Sequence, residues 1–123
     1  MKKSLKIIII LFVVIIGIVG AWFSLDKTTR CSFIYGRNIC NFYAMMDTIS
    51  HTPEKSDFEK AMQLCREMEE VPKKDSCFEY IAQVVSFYDT GKAKEACNEI
   101  KEIRDQVGNI VHRKEDCYNK IEQ

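Results

Sequence analysis

Two prolines, five glycines and two histidines are spread over 123 residues, and each shortage excludes something. With so little proline and glycine, the chain holds neither a long disordered linker nor a low-complexity tail. No glycine-rich phosphate loop occurs. No two cysteines stand as C-x-x-C, the spacing used by zinc sites and thioredoxin-like redox sites, and neither His51 nor His112 completes a ligand set with a cysteine pair. No lipobox precedes any cysteine, so Cys31 is not a lipidated N-terminus. Excess charge is missing too: eighteen basic residues balance eighteen acidic ones, which leaves no electrostatic footprint for nucleic acid.

The ingredients of catalysis are equally thin, because a nucleophile, a base and an orienting group must be brought together. His112 stands before Arg113-Lys114-Glu115-Asp116 on what reads as a charged helical face, and His51 falls in the loop Ser50-His51-Thr52-Pro53. Glu69-Glu70 and Glu115-Asp116 are adjacent pairs, so on a helix their carboxylates point to different sides and cannot flank a substrate. The expectation is a protein with no catalytic, cofactor-binding or metal-ligating residues, and not an enzyme.

What is present begins with Ile7 to Phe23, IIIILFVVIIGIVGAWF, seventeen residues without a charge. As a helix this run reaches roughly 26 Å, close to the hydrocarbon thickness of a bilayer. A helix apolar on every face belongs in lipid. Lys2, Lys3 and Lys6 form a basic n-region, and Val19-Gly20-Ala21 offers small residues suited to signal peptidase. The run nevertheless outlasts an h-region of about 7 to 15 residues and ends on Trp22 and Phe23, which suit the membrane interface. The expected reading is an uncleaved signal anchor, with release after Ala21 as the alternative. Lys27, Arg30 and Arg37 nearly balance the N-terminal lysines, so positive charge alone does not orient the span.

The cysteines orient it. Cys31, Cys40, Cys65, Cys77, Cys97 and Cys117 all follow the apolar run, and an even set in a small domain behind a secretory-type segment is the signature of a disulfide framework in an oxidising compartment. The N-terminus is therefore placed inside and the rest outside the cell membrane. Beyond the first 23 residues lie 100 (123 minus 23), enough for one small domain. This part carries fifteen basic and eighteen acidic residues, a net charge of minus three.

It also carries an internal repeat. Asp57, Lys60, Ala61 and Cys65 match Asp89, Lys92, Ala93 and Cys97 as D-x-x-K-A-x-x-x-C, and Lys74, Cys77, Phe78, Ile81 and Gln83 match Lys114, Cys117, Tyr118, Ile121 and Gln123 as K-x-x-C-[F/Y]-x-x-I-x-Q. Each half reads as an amphipathic helix. Phe58, Ala61, Met62, Cys65 and Met68 make the first stripe, started by Thr52-Pro53-Glu54 and ended by Val71-Pro72-Lys73. A second helix, begun near Asp75 or Ser76, carries Phe78, Ile81, Val84, Val85 and Tyr88. In the second copy the stripes are Ala93, Ala96, Cys97, Ile100 and Ile103, then Ile110, Val111, Cys117, Tyr118 and Ile121, with Gly108-Asn109 as the turn between two helices. The stretch Cys40 to Ser50 reads as one more helix that caps the array. Phe33, Tyr35, Phe42, Tyr43, Phe78, Tyr80, Phe87 and Tyr88 could line a ligand groove, but at helical spacing in so small a domain they are expected in the core.

Cys65 and Cys77 flank Pro72, Cys97 and Cys117 flank Gly108, and Cys31 and Cys40 flank Gly36. Antiparallel helices around each turn put these partners side by side. Of the fifteen pairings that six cysteines allow, Cys31 with Cys40, Cys65 with Cys77 and Cys97 with Cys117 are expected.

Tandem helix pairs of this kind over about residues 53–123 resemble helical-hairpin repeats of the tetratricopeptide type. Ala61 and Ala93 occupy the place of that family's small packing residue, while its W-x-x-L-G-x-x-Y signature does not occur and the cysteines are this chain's own. The resemblance implies a protein-binding scaffold.

The expected architecture is all-α: a basic cytoplasmic tail at residues 1–6, a transmembrane signal anchor at 7–23, a juxtamembrane connector at 24–37, and at 38–123 an extracytoplasmic, disulfide-stapled domain of tandem antiparallel helical hairpins, with repeats at about 53–88 and 89–123. The expected partners are the lipid bilayer, through residues 7–23, and another protein, but no nucleic acid. A secreted binding or effector protein and a thiol-dependent redox protein are the two rival functions.

Overall fold

A computed structural model of the chain describes residues 2–50, 54–112 and 114–123. Among them run seven helices and one short ribbon: α1 Lys2–Ser24, α2 Lys27–Tyr35, α3 Arg37–Ile49, α4 Lys55–Arg66, α5 Val71–Ser86, α6 Thr90–Asn98, β1 Ile103–Arg104, β2 Ile110–His112 and α7 Lys114–Ile121. Among the described residues, all regular structure is helical but for those five strand residues.

No part of the core packs over α1 among the described residues. From Lys3 to Ser24 every residue is exposed, and the segment is long and apolar enough to cross a membrane by length and composition. It ends where Ser24 Oγ donates to the Ala21 carbonyl (2.7 Å) and Asp26 starts a new helix, accepting from the Thr29 amide (3.0 Å) as the N-cap of α2. The expected connector is thus itself a helix. Gly36 closes α2 and opens α3 at φ 88°, a left-handed conformation that a side chain disfavours.

The core gathers the inner stripes of α3 to α7. Met45 and Ile49 of α3, Phe58, Ala61 and Met62 of α4, Phe78, Ile81 and Val85 of α5 and Ala93 and Ala96 of α6 form one buried cluster. The central element is α5, in contact with α3, α4, α6 and α7. The expected start of α4 at Thr52-Pro53 lies outside the described residues; what is seen is Asp57 reaching back, its Oδ2 accepting from the Glu54 amide (3.2 Å).

Two boundaries depart from the sequence reading. Pro72 does not end α4, which stops at Arg66; it sits in the first turn of α5. First-turn amides have no intrahelical acceptor, so a residue without an N–H costs nothing there, and the proline ring presets φ. Met68 stays in the core, although it lies beyond α4. Tyr88, expected on the α5 stripe, lies past that helix and is exposed.

The second departure is larger. Ile103, Ile110 and Val111, expected on helical stripes, belong to an antiparallel ribbon in which Ile103 faces His112 and Arg104 faces Ile110. In a continuing α6 the Lys101 amide would donate to the Cys97 carbonyl. Instead the Ile100 amide takes that carbonyl (3.2 Å) and the Lys101 amide donates to Oδ1 of Asp75 on α5 (3.1 Å). The helix stops there because a buried carboxylate captures its next donor. Asp105 then builds the ribbon's turn: its Oδ1 accepts from the Val107 (2.9 Å) and Asn109 (2.8 Å) amides, and Gly108 takes φ 89°. The Gly108-Asn109 turn therefore joins two strands rather than two helices, and the β-branched residues fit the strands better than a helix.

Candidate functional site

The structure joins Cys31 to Cys40, Cys65 to Cys77 and Cys97 to Cys117, with Cα–Cα distances of 5.7, 5.6 and 5.7 Å, inside the usual range for a bridge. These are the pairs that flank Gly36, Pro72 and Gly108. The bridges tie α2 to α3, α4 to α5 and α6 to α7, and no cysteine is left as a free thiol. Cys40, Cys65, Cys77, Cys97 and Cys117 are buried and Cys31 is half-buried, and burial keeps a sulfur from solvent reagents.

Four of the repeated pairs are core positions. Ala61 and Ala93, Cys65 and Cys97, Cys77 and Cys117, and Ile81 and Ile121 are buried in both copies. Asp57 and Asp89 both serve helix starts, but Asp57 acts from the first turn of α4, whereas Asp89 is itself the N-cap of α6 and accepts from the Lys92 amide (3.1 Å).

Titratable groups form no catalytic constellation among the described residues. No group of three His, Cys, Asp or Glu side chains converges there to hold a metal. His51 lies outside the described residues, and His112 is on β2 rather than on a helical face. The Asp105 carboxyl is held below its ordinary value, first by the Asn109 amide, then by the Asn109 side chain and the amides of Val107 and Gly108. That group orders a turn.

The aromatic residues divide in a way the sequence did not indicate. Phe78 is buried, and Phe42 and Tyr80 pack together half-buried with ring centroids 5.9 Å apart. Phe33, Tyr35, Tyr43, Phe87 and Tyr88 are exposed, contrary to the core reading. A small stack of helices covers one stripe of each, and side chains beyond that stripe face out.

On α3 the uncovered face becomes a groove. Ile39, Phe42 and Tyr43 of α3 meet Met68 of the α4–α5 connection and Pro72 in the first turn of α5, rimmed by Asn38, Lys73 and Ser76, around a cavity of about 440 Å³. Ile39 is 46% and Tyr43 66% exposed, so the floor is apolar and open. The groove is held to shape by α3 asparagines. Oδ1 of Asn38 accepts from the Glu69 amide (2.8 Å), and Nδ2 of buried Asn41 donates to the Leu64 carbonyl (3.1 Å). Both fix the end of α4 against α3. A larger, more polar cleft of about 850 Å³ opens on the other side, among Asp26, Thr29, Ser32, Phe33, Arg37 and Glu69.

No family model, curated protein or solved structure matches this chain. The groove combines an apolar floor with a few polar groups, Asn38, Lys73 and Ser76, at the rim. Sequence reading missed Ile39, Met68 and Pro72 as a surface. The signal was there in α3, whose Ile39, Cys40, Phe42, Tyr43, Met45, Met46 and Ile49 span more of the helix than one core-facing stripe can bury.

Proposed function

We propose that the protein is a single-pass membrane protein, N-terminus inside, whose tandem helical hairpins form an extracytoplasmic scaffold that docks another protein. The observation that carries the reading is the open apolar groove, in which Ile39, Tyr43 and Pro72 are exposed and Phe42 is half-buried above buried Met68, because apolar and aromatic side chains left uncovered on a rigid helical face are the anchors of protein recognition. Three disulfides support an oxidising compartment outside the membrane, and the uncovered α1 supports the anchor. Pairing of each bridge across a turn supports the hairpin arrangement and, with the repeated alanines, the tetratricopeptide-like reading. The scaffold needs no catalytic residue, cofactor or metal.

The test is a photo-crosslinking amino acid placed at Tyr43 in the full-length protein, irradiated in intact cells of the source. A discrete crosslinked species that disappears when Ile39→Asp is added, with the thermal unfolding curve unchanged, is the expected result. Indifference of the crosslink to Ile39→Asp sinks the groove as the docking face.

The position of α1 at the N-terminus and the small residues Val19-Gly20-Ala21 also favour a second reading, a secreted effector released by signal peptidase. Intact mass separates the two, since the anchored protein retains the segment and the secreted one begins at Trp22.

A further inference from the structure

We propose that α2 is a membrane-interface helix, which lays Phe33, Ile34 and Tyr35 into the headgroup layer at the depth of Trp22 and so fixes how the domain stands on the bilayer. This rests on the anchor reading of α1.

The first observation is a return of the chain. Trp22 lies in the last turn of α1 and Phe33 in the last turn of α2. An uninterrupted helix would separate positions so spaced by about 16 Å along its axis. Their ring centroids are 6.2 Å apart. The break at Leu25-Asp26 therefore turns α2 back, so that its far end stands level with the end of the span. A second contact agrees: the Arg30 guanidinium lies 6.0 Å from the centroid of the Phe23 ring. Whatever depth Trp22 and Phe23 take at the end of α1, Arg30 and Phe33 share it to within a side-chain length.

The second observation is exposure. Phe33, Ile34 and Tyr35 are 74%, 62% and 66% exposed. Consecutive helix residues point about 100° apart, so these three span about 200° of the last turn, and the described protein leaves most of each side chain uncovered. Water is a poor medium for such a surface. The headgroup layer is a good one, since aromatic rings with a polar edge and apolar side chains concentrate there.

The third is charge. Residues 24–37 carry Lys27, Arg30 and Arg37 against Asp26, a net of plus two, while residues 38–123 carry twelve basic and seventeen acidic side chains, a net of minus five. Asp26 is engaged in capping α2, and Arg37 also reaches Glu69 at 3.4 Å. The chain is thus polarised, with its basic end next to the span, as attraction to anionic headgroups requires. The Cys31–Cys40 bridge then passes the orientation on, because it locks α2 to α3. The groove residues Ile39 and Tyr43 are held at a set attitude to the membrane.

The chain's single tryptophan makes the test direct. Full-length protein is reconstituted into vesicles of phosphatidylcholine and phosphatidylglycerol, with or without lipids brominated near the headgroup end of their acyl chains. The exchange Trp22→Phe with Phe33→Trp moves the fluorophore onto α2 and keeps the aromatic pair. Trp22→Phe with Tyr35→Trp reports from the next residue should that exchange disturb the fold. Loss of emission to brominated lipid, a blue-shifted maximum and weak quenching by aqueous acrylamide are expected for wild type and for both variants. Lipid quenching of wild type with acrylamide quenching of both variants overturns the interfacial helix and leaves the anchor standing. Variants quenched by neither agent, in protein whose wild type is quenched by lipid, place α2 under protein instead, as in a self-associated dimer, and overturn it as well. Absence of lipid quenching in wild type itself refutes the anchor, and the inference falls with it.

Discussion

Reduction of the three disulfides is expected to remove most or all of the stability of the domain while leaving α1 helical. The bridges close loops with sequence separations of 9, 12 and 20 residues. In the chain-entropy picture these contribute about 2.6, 2.8 and 3.3 kcal/mol. The loops neither nest nor overlap, so their contributions add to about 9 kcal/mol. A domain of this size has a net stability of about 5 to 15 kcal/mol. The reduced domain should therefore unfold in buffer or at low urea. The assay is far-ultraviolet circular dichroism of full-length protein in mild detergent, followed through a urea titration with and without a phosphine reductant. The 23 residues of α1 stay helical in the micelle and set the residual signal. A reduced urea midpoint within about 1 M of the oxidised one would mean that the bridges together contribute only about 1 to 3 kcal/mol. The core alone would then hold the fold, and the stapling argument would be wrong.

Three further outcomes are expected. Phe78→Ala, at a fully buried ring, should cost about 3 to 5 kcal/mol, whereas Phe87→Ala, at a ring 85% exposed at the C-cap of the same helix, should stay within about 0.5 kcal/mol; urea unfolding of the two variants decides, and equal losses contradict the burial pattern. Asp75→Ala removes the acceptor of the Lys101 amide and should cost about 1 to 3 kcal/mol, with faster hydrogen exchange at Lys101; Asp75→Asn keeps an acceptor and should lose less. Asp105 has its carboxyl lowered by the turn amides, so its contribution to the ribbon is complete above the unfolded value and is lost as pH falls through the folded one. The Val107 and Asn109 amide resonances should therefore shift together only below the ordinary aspartate range, and a midpoint at or above that range contradicts the turn geometry.

How much was legible differs from element to element. The apolar run from Ile7 to Phe23 declares a lipid-compatible helix on every face, and nothing in the fold is needed to read it. The stripes of α4 and α5 were equally plain, since Phe58, Ala61, Met62 and Cys65, then Phe78, Ile81 and Val85, recur at helical spacing and are buried as that spacing requires. Cysteine placement around Gly36, Pro72 and Gly108 is local too, because each bridge joins two successive helices, α6 and α7 with the short ribbon between them.

Long-range contacts decided the rest. Whether α6 continues through Ile103 depends on Asp75, a residue of another helix that takes the Lys101 amide, and no window around Ile103 contains that fact. Which aromatics are core depends on which helix faces find a partner: Phe42 meets Tyr80, whereas Phe33, two residues past Cys31, turns back toward Trp22 and stays uncovered by the core. Hydrophobic periodicity determines that a helix has an apolar side. Only the packed structure determines how much of that side is covered, and the uncovered remainder on α2 and α3 is the surface on which both proposals rest.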